Sequence, residues 1–316
     1  MEFHEFKMDY LKKNLPAVAE REMNIKIRKM KFIGGGSYGK VFKTETEDGK
    51  IFALKAYRRK GLNEREAFQL EALSKATDVP MPQILCSYSD ESVSFLAMSF
   101  IEGQNVLSPV YLLFSEKKKQ AFAESVVKGM LQWHSVTGEK YGDLENPVYD
   151  SWYEFYRTEV VEGVLQFSKE MSEKGKLPVS EYELLKKATE IYDRIGDETD
   201  SPVLIHGDLN IMNIMADPKS FTLTGFIDPC DSMWANKEYD LYQLRNMWGD
   251  LYGIYDTYKK YAELSADCDF KIAYYGFVNE IKCFRNSGED FAIWRGIWSR
   301  RLKKELRKNM IEERKK

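Results

Sequence analysis

Three polar side chains within residues 203–228 stand out against apolar neighbours and have the types needed to bind a metal ion. They are Asp208, Asn213 and Asp228. The apolar run 203–205 predicts a short strand that leads into the loop with Asp208, and residues 221–227 predict a returning strand that ends at Asp228. We therefore expect the three side chains to lie together. Two carboxylates and an amide oxygen suit Mg²⁺, which prefers oxygen ligands and keeps waters and phosphates around them.

The same residue types also occur in ordinary turns, where Asp and Asn form local hydrogen bonds. Here, however, the second Asp ends a hydrophobic strand, and a glycine-rich run and a lysine lie upstream in the chain. That order matches the H-x-D…N loop and the metal-binding Asp of kinase-type phosphoryl transfer. We therefore interpret the stretch as a catalytic site with Asp208 at its centre.

The glycine-rich run at residues 34–41 reads GGGSYGKV and fits three motifs. It matches a dinucleotide fingerprint, the start of a P-loop and the glycine-rich loop of kinases. The first two require a helix directly after the glycines, whereas residues 41–46 and 51–57 predict two strands joined by an Asp-Gly turn. A P-loop would also need Ser or Thr where the chain has Val41. A glycine hairpin over phosphates remains, beside the alternative of a hairpin without a ligand.

Lys55 lies among apolar residues in the second strand of this hairpin. It either faces solvent or holds nucleotide phosphates as a point charge that a glutamate positions. The next helix, at about residues 63–76, offers Glu66 and Glu71. Asn63 with Glu66 resembles a capping box, which is a purely structural role. Glu66 also shares a face with two leucines, so it points inward and needs a partner; we predict Lys55–Glu66 over Lys55–Glu71.

Two parts of different composition follow from this pattern. Residues 1–102 predict a small nucleotide-binding lobe with a five-stranded antiparallel sheet, one main helix, and an opening helix that ends before Pro16. Residues 98–103, which include Met98, Phe100 and Ile101, predict a hinge whose backbone could meet an adenine edge, although an ordinary strand exit fits equally well. Residues 103–316 are mainly helical and would hold the catalytic and substrate-binding groups. The fold class is therefore α+β.

Helical periodicity predicts the following segments after the hinge. They lie at about residues 115–134, 151–172, 180–195, 239–248, 249–264, 269–284 and 291–311. Their many aromatic side chains are assigned to the core by default.

Composition limits the function classes. The chain has 316 residues, of which 43% are hydrophobic and 31% are charged, with a net charge of −3. This balance gives no electrostatic reason for a nucleic-acid partner, and no apolar run approaches the roughly 20 residues that span a bilayer. The four cysteines have no C-x-x-C spacing, so neither disulfides nor zinc are indicated. A reduced cytoplasmic location is the default expectation; the oligomeric state stays open.

At this point the motifs resemble those of the aminoglycoside phosphotransferase and fructosamine kinase group of small-molecule kinases. The run HGDLNIMNIM at residues 206–215 is similar to the group's catalytic loop, and GFIDP at residues 225–229 is similar to its second magnesium motif. IDP followed by EYDL is closest to the fructosamine kinases. The resemblance implies a bilobal protein-kinase-like fold with ATP and Mg²⁺ as cofactors.

The resemblance also implies a role for individual residues. Asp208 would accept the proton of the substrate hydroxyl, and Asn213 and Asp228 would bind magnesium. Asp240 would brace the catalytic loop, and His206 would organise it. The residues implied at the nucleotide are Gly34, Gly36, Ser37, Gly39, Lys55, Glu66, Met98, Phe100 and Ile101.

The chain departs from protein kinases in ways that favour a small acceptor. Gly207 replaces the Arg of H-R-D, Pro229 follows the metal Asp, and no A-P-E motif follows. Only a short loop separates Asp228 from Asp240, which leaves no room for a peptide platform. We expect transfer of the ATP γ-phosphoryl group to a hydroxyl of a fructosamine-type or aminoglycoside-type molecule. A choline-like or amino alcohol is an alternative acceptor, and a non-catalytic nucleotide-binding or partner-binding protein is the alternative function.

Overall fold

The computed structural model describes residues 6–36, 38–196 and 201–313, with side chains through residue 308. These residues divide into two compact units. The described parts of Met1–Ser108 and Asn213–Cys230 form the first unit, and those of Pro109–Met212 and Asp231–Lys316 form the second unit. The chain therefore leaves the first unit, returns to it for one short segment, and leaves it again. The functional division at residues 102 and 103 stays a prediction.

The helices and strands follow one another in chain order. The first group, in the first unit, is α1 (Met8–Met23), β1 (Ile27–Gly35), β2 (Gly39–Thr46), β3 (Ile51–Tyr57), α2 (Leu62–Ala76), β4 (Ile84–Ser89), β5 (Ser94–Ser99) and β6 (Gln104–Asn105). The next group, in the second unit, is α3 (Glu116–His134), β7 (Gly142–Asp143), α4 (Trp152–Tyr156), α5 (Glu162–Glu173), α6 (Val179–Ile195) and β8 (Val203–Ile205). The chain then adds β9 (Ile214–Ala216) and β10 (Leu223–Phe226) to the first unit. The last group, in the second unit, is β11 (Met233–Ala235), α7 (Lys237–Leu241), α8 (Ile254–Tyr258), α9 (Cys268–Ser287) and α10 (Ala292–Glu313).

A five-stranded sheet forms most of the first unit, as the sequence predicted. Its strand order is β1-β2-β3-β5-β4, and every neighbouring pair is antiparallel. The Asp-Gly turn closes the hairpin of β2 and β3, where Gly49 has a φ of +84°. This left-handed conformation is one that glycine adopts without steric cost. In the strand order given above, the middle strand is β3, which carries Lys55.

Two small sheets position the remaining loops. Strands β10, β9 and β6 form a three-stranded sheet of the first unit, and β7, β11 and β8 form another in the second unit. Asn213 directly precedes β9, and Asp228 follows β10 by two residues. His206 and Asp208 follow β8, so each candidate chemical group stands just outside the end of a short strand.

The prediction that the opening helix ends before Pro16 was wrong. Helix α1 continues through Pro16 to Met23, and Asn24, which caps its end, has a φ of +51°. Proline inside a helix costs about 3 kcal/mol because it removes one backbone hydrogen bond and crowds the preceding turn. Leu11 and Leu15, which precede Pro16 in the same helix, are buried in the core of the first unit, and burying each side chain contributes roughly 1.5–3 kcal/mol. Packing therefore outweighs the local cost.

The core of the second unit is a cluster of aromatic side chains around α7, in agreement with the assignment of these residues to the core. Trp152 lies 4.9 Å from Tyr239 between ring centroids, and Tyr156 lies 5.0 Å from Tyr275. The Trp152 indole N–H donates to the Tyr275 hydroxyl at 2.9 Å. A polar atom buried with a large ring needs such a partner. The cluster holds Tyr239, and thereby fixes α7, which also carries Asp240.

Several predicted helices are interrupted. The segment 151–172 contains a π-helical turn at Arg157–Val161 between α4 and α5. The two helices predicted at 239–248 and 249–264 are replaced by α7, two 3₁₀ turns and α8. Met247 and Trp248 have φ values of +47° and +69°, which no right-handed helix accommodates. The helical periodicity there was correct only for α7 and α8.

The longest helices of the described chain are α9 and α10, with 20 and 22 residues. Both contain several charged side chains. Among the described helices, none combines the length and the apolar character that a bilayer crossing requires.

Replacement of Pro16 by Ala tests whether α1 is continuous. Alanine restores an N–H that can donate to the Lys12 carbonyl, so we expect the free energy of unfolding to rise by about 1–2 kcal/mol. Urea unfolding followed by circular dichroism measures it. The matched control is Pro147→Ala in a loop, which should lower the free energy of unfolding by about 0.4–1 kcal/mol. A loss of stability in Pro16→Ala as well would contradict a continuous helix.

Candidate active site

Lys55 places a positive charge inside the five-stranded sheet. Its backbone pairs with Val41 on one side and with Leu96 on the other. The side chain is 9% exposed, and its Nζ atom donates to Glu66 Oε2 and to Asp228 Oδ1, each at 2.6 Å. Such partners are required because taking an ammonium group out of water costs on the order of several kcal/mol.

Glu66 reaches Lys55 because it lies on the buried face of α2 with Leu70 and Leu73. Glu71 is directed toward solvent, because its side chain is 59% exposed. Its Oε2 atom lies 3.8 Å from Lys75 Nζ. The structure therefore forms the ion pair that helical periodicity favoured, and Glu71 takes no part in it.

The capping box that Asn63 and Glu66 resemble, which was the alternative explanation of Glu66, does not form. Helix α2 begins at Leu62, after Gly61, and no side chain caps it. Asn63 is buried instead, where it donates to Ser87 Oγ at 2.9 Å and accepts from Ser94 Oγ at 2.7 Å. Hydrogen bonds to β4 and β5 thus replace the local cap that these residue types would form in isolation.

Burial and charge act against each other at this ion pair. Burial alone would lower the pKa of Lys55, but the carboxylates of Asp228 and Glu66 outweigh it and hold the pKa above its ordinary value. Burial raises the pKa of Glu66, and the Lys55 charge opposes this. Burial and the nearby Glu66 also raise the pKa of the Tyr57 phenol, which stays neutral. One ammonium faces two carboxylates, so an added cation would be favoured here.

Asn213 and Asp228 lie at the ends of paired strands in the first unit. Strands β9 and β10 are antiparallel, and the Ile227 N–H donates to the Asn213 carbonyl at 3.0 Å. Asp228 has a φ of +58°, a left-handed conformation that is uncommon for a residue with a side chain. The Asp228 side chain is 42% exposed although Oδ1 is bound to Lys55. The backbone therefore brings together the two residues that were predicted to bind magnesium.

The donor atoms of these two residues fit a hard divalent cation. A carboxylate and an amide oxygen are the ligand types that Mg²⁺ takes from proteins. Among the described residues, no group of three or more His, Cys, Asp or Glu side chains could hold a metal ion by itself. A magnesium ion at Asn213 and Asp228 would therefore complete its coordination with water and phosphate oxygens, as Mg²⁺ commonly does.

The glycine-rich turn joins β1 to β2. The Gly36 N–H donates to the Gly39 carbonyl at 3.1 Å. A Cβ atom on Gly39 would lie 3.1 Å from Lys55 Cε, and one on Gly35 would lie 2.5 Å from the Gly39 carbonyl oxygen. Gly35 is therefore required sterically, which the sequence did not reveal. A Cβ on Gly34 or Gly36 would meet no protein atom within 4 Å.

The remaining residues predicted at the nucleotide differ in exposure. Met98 is buried in β5, opposite Ala53, so only its backbone could meet an adenine edge. Phe100 and Ile101 follow β5 and are partly buried; Lys43 Nζ lies 4.0 Å from the Phe100 ring centroid. Their contact with a nucleotide stays a prediction. Ser37 lies outside the described residues.

Gly207 has a conformation that only glycine can adopt in this loop of the second unit. It follows His206 with a φ of +78°. A Cβ atom at this position would lie 2.0 Å from the Asp231 carbonyl oxygen. The arginine that protein kinases have here could not fit this backbone, so the departure noted in the sequence has a steric cause.

Asp240 braces this loop from α7, as the resemblance implied. Its side chain is fully buried and accepts from the backbone N–H groups of His206 at 3.1 Å and Gly207 at 2.9 Å. Asp240 Oδ2 also lies 3.2 Å from His134 Nε2, while His134 Nδ1 lies 2.8 Å from the Tyr258 hydroxyl. Burial would raise the pKa of Asp240, but the His134 hydrogen bond and the backbone donors outweigh it and lower the pKa.

Asp208 is held by two side chains that the sequence did not single out. Asn210 Nδ2 donates to Asp208 Oδ1 at 3.0 Å, and Gln243 Nε2 donates to the same oxygen at 2.9 Å. The Asp208 N–H donates to His206 Nδ1 at 3.3 Å, so His206 does organise the loop. Gln243 follows Asp240 by three residues, and this spacing, which places two residues on one helical face, was the signal that could have identified it.

Two acidic residues of the second unit that follow Asp228 in the chain, Asp231 and Glu238, have different surroundings. Glu238 is buried and accepts from the Ser265 N–H at 2.5 Å and from Ser265 Oγ at 2.9 Å, with Lys271 Nζ at 3.4 Å. It connects α7 to the start of α9. Asp231 is 37% exposed and accepts from Lys282 Nζ at 3.2 Å. Of the two, Asp231 is the one in reach of solvent.

Asp240→Asn should loosen the catalytic loop. An amide cannot accept from both backbone donors and from His134, so we expect the free energy of unfolding to fall by about 1–3 kcal/mol at pH 7. The pKa of Asp240 is lowered from 3.8, so its stabilisation is complete above that value and is lost as the pH falls through the lower folded value. Urea unfolding should show the difference between the two proteins shrinking in acid.

Asp256→Asn, on the exposed face of α8, is the control for this change and should shift the free energy of unfolding by less than about 0.5 kcal/mol. A difference between wild type and Asp240→Asn that stays constant from pH 7 down to acid would contradict the electrostatic role of the Asp240 carboxylate.

Two solved structures of similar fold are named as kinases of small molecules. One is a protein designated a candidate fructosamine-3-kinase from Thermobifida fusca, with a TM-score of 0.69 and 19% identity over 93% of this chain and 99% of that chain. Another is aminoglycoside 2′-phosphotransferase-IIIa in complex with GDP, with a TM-score of 0.64 and 15% identity over 96% of this chain and 100% of that chain. The α+β kinase-like fold expected from the sequence is therefore confirmed.

One sequence relative matches only part of the chain, whereas a family profile matches most of it. The chain is 27% identical over 176 residues to the probable acyl-CoA dehydrogenase IBR3 of Arabidopsis thaliana; the match covers 52% of this chain and a fifth (20%) of that protein. The sequence profile of the fructosamine kinase family matches residues 12–287. The family match supports the enzyme class expected from the sequence, a small-molecule kinase. This chain belongs to the fructosamine kinase family.

Proposed function

We propose that this protein transfers the γ-phosphoryl group of ATP to a hydroxyl of a small, sugar-like molecule, with Mg²⁺ as cofactor. The observation that carries the proposal is the Lys55 ammonium, held 2.6 Å from both Glu66 and Asp228 in the first unit. Burial alone requires the ammonium to be paired, and Glu66, which is itself buried, serves that need. The second partner, Asp228, is 42% exposed, so its carboxylate can also bind a metal ion that carries phosphates.

Lys55 would bind phosphate oxygens of the nucleotide as a point charge, while Glu66 keeps the ammonium in place. Burial of both side chains strengthens their attraction, because fewer water molecules screen it. Gly39 permits the close packing of β2 against the Lys55 side chain. Asn213 and Asp228 would hold the magnesium ion, which when bound neutralises charge on the transferred phosphoryl group.

Asp208 would orient the acceptor hydroxyl and take its proton. An ordinary Asp has a pKa of about 3.9, so it cannot deprotonate an alcohol before attack. It has no need to, because the transition state of phosphoryl transfer is loose and the proton can leave late. General-base assistance of this type contributes about 10²- to 10⁴-fold. Positioning and charge neutralisation contribute most of the remaining acceleration.

The charges of the second unit favour a fructosamine-type acceptor over a polycation. An aminoglycoside carries several ammonium groups and would call for a cluster of carboxylates. Glu238 is buried and bound to Ser265 and Lys271, and the carboxylate of Asp231 is paired with Lys282. Neither residue therefore supplies uncompensated negative charge. Membership of the fructosamine kinase family supports the same choice, although a fold by itself does not determine specificity.

The proposal is tested by ADP release from Mg-ATP across a panel of acceptors. The panel contains fructosamines, aminoglycosides, simple sugars, choline and other amino alcohols. We expect fructosamines to give the largest kcat/KM. Strong turnover of an aminoglycoside alone would overturn the acceptor assignment, and a flat panel without ATP binding would favour a non-catalytic protein.

Asp208→Asn should abolish turnover, because an amide cannot accept the hydroxyl proton, while ATP binding is largely kept. We expect kcat to fall by at least about 10²-fold, with the Kd for ATP measured separately by calorimetry. The control is Asp150→Asn at an exposed ion pair with Lys140, which should leave kcat unchanged. Wild-type turnover in Asp208→Asn would reject the role of Asp208.

Lys55→Met should weaken both nucleotide binding and turnover, because the phosphates lose their positive partner. We expect kcat/KM for ATP to fall at least about 10²-fold. Lys50→Met, in the exposed turn of the same hairpin, is the matched control. Thermal unfolding of each variant separates a binding defect from misfolding. Equal activity of the two variants would contradict the role given to Lys55.

A further inference from the structure

Two side-chain amides donate to one oxygen of Asp208. Asn210 Nδ2 and Gln243 Nε2 lie 3.0 and 2.9 Å from Asp208 Oδ1. Asn210 comes from the same loop, whereas Gln243 comes from the 3₁₀ turn that follows α7. Donors from two separate segments fix both the position of the carboxylate group and the rotation of its plane.

The orientation of both amides is determined by their other contacts. A carboxylate oxygen can only accept hydrogen bonds, so the nitrogen of each amide must face Asp208. The amide oxygen of Asn210 accepts from the Met212 N–H at 2.9 Å, and that of Gln243 accepts from Asn246 Nδ2 at 3.4 Å. Each amide is thus engaged at both ends and cannot flip without losing two hydrogen bonds.

Gln243 is part of the same brace as Asp240. It is buried, and its Nε2 atom also lies 3.0 Å from the Tyr242 hydroxyl and 3.5 Å from the Gly207 carbonyl. Asp240 binds the N–H of Gly207. The two residues therefore hold the backbone of the loop and the side chain of Asp208 from a single segment.

We propose that Gln243, assisted by Asn210, is a positioning residue that sets the orientation and favours the ionised form of the Asp208 carboxylate. Two N–H donors stabilise a carboxylate more than a carboxylic acid, so they favour the form that accepts the substrate proton. This inference rests on the proposed function of Asp208. It adds that Asp208 is fully active as a general base only while the Gln243 amide donates to its carboxylate.

Other titratable groups face the same region and must be considered in any pH profile. His206 accepts from the Asp208 N–H, and Asp231 forms its ion pair with Lys282 beside Gly207. Burial raises the pKa of the Tyr242 phenol and of the Cys283 thiol, with a smaller contribution from the Asp208 charge. The amides of Gln243 and Asn210 donate directly to Asp208 Oδ1 and carry no charge, so they do not themselves titrate.

Gln243→Leu removes the donor and keeps much of the volume. We expect kcat to fall about 10- to 100-fold while the KM for ATP stays within about twofold, and the acid limb of the kcat profile to move to higher pH. Gln166→Leu, at an exposed position of α5, is the matched control. Gln243→Glu serves if the leucine variant unfolds: only its protonated form can donate, so its activity should fall as the pH rises.

A second readout needs no acceptor. Aspartate labelled with ¹³C at the side-chain carboxyl reports protonation by NMR, and Asp208→Asn assigns the Asp208 signal. We expect the Asp208 signal in Gln243→Leu to reach half-titration at a higher pH than in wild type. An unmoved midpoint together with an unchanged kcat would overturn the inference, whereas full turnover in Asp208→Asn with a moved midpoint would overturn the proposed function alone.

Discussion

The ammonium group of Lys55 can be buried in the central strand only because Glu66 and Asp228 each place a carboxylate oxygen 2.6 Å from it. This interaction connects β3, α2 and the turn after β10. Buried ion pairs are a poor source of stability, since desolvation cancels much of the attraction, but removing one partner is severely destabilising. The arrangement is therefore better understood as a constraint on geometry. Because Lys55 binds both carboxylates, the position of the turn at Asp228 depends on the position of α2, which carries Glu66.

The second unit also contains a buried charge, but there it is a carboxylate rather than an ammonium group. The carboxylate of Asp240 is fully buried, and backbone N–H groups and His134 satisfy it. Helix α7, which carries Asp240, is in turn held by Tyr239 in the aromatic cluster. A loop with a left-handed glycine would otherwise sample many conformations. The buried carboxylate of Asp240 stabilises one of these conformations. It can do so only if α7 itself is fixed, and the packing of Tyr239 in the aromatic cluster fixes it.

Sequence reasoning succeeded where burial follows local periodicity and failed where distant contacts decide. The two leucines beside Glu66 predicted its inward direction, and the structure forms that pair. Local rules also predicted that α1 ends before Pro16 and offered a capping role for Asn63. The structure differs at both positions because tertiary packing, which no local pattern contains, decides them. Gln243 was overlooked since its role exists only once α7 has been placed against the loop. Gly35 was overlooked because its clash is with Gly39 across the turn.

The residues that would select the acceptor molecule differ from those that would carry out the phosphoryl transfer. In the proposed reaction, Lys55, a divalent cation and Asp208 would carry the phosphoryl transfer, and these groups would serve any hydroxyl. The choice among hydroxyls would depend on other groups, and Asp231 is one candidate whose charge Lys282 compensates. Groups of this kind would discriminate through hydrogen bonds to individual hydroxyls rather than through attraction to a polycation. Such discrimination is strong when a missing partner leaves a buried polar group unsatisfied, so the acceptor should be recognised by the pattern of its hydroxyls.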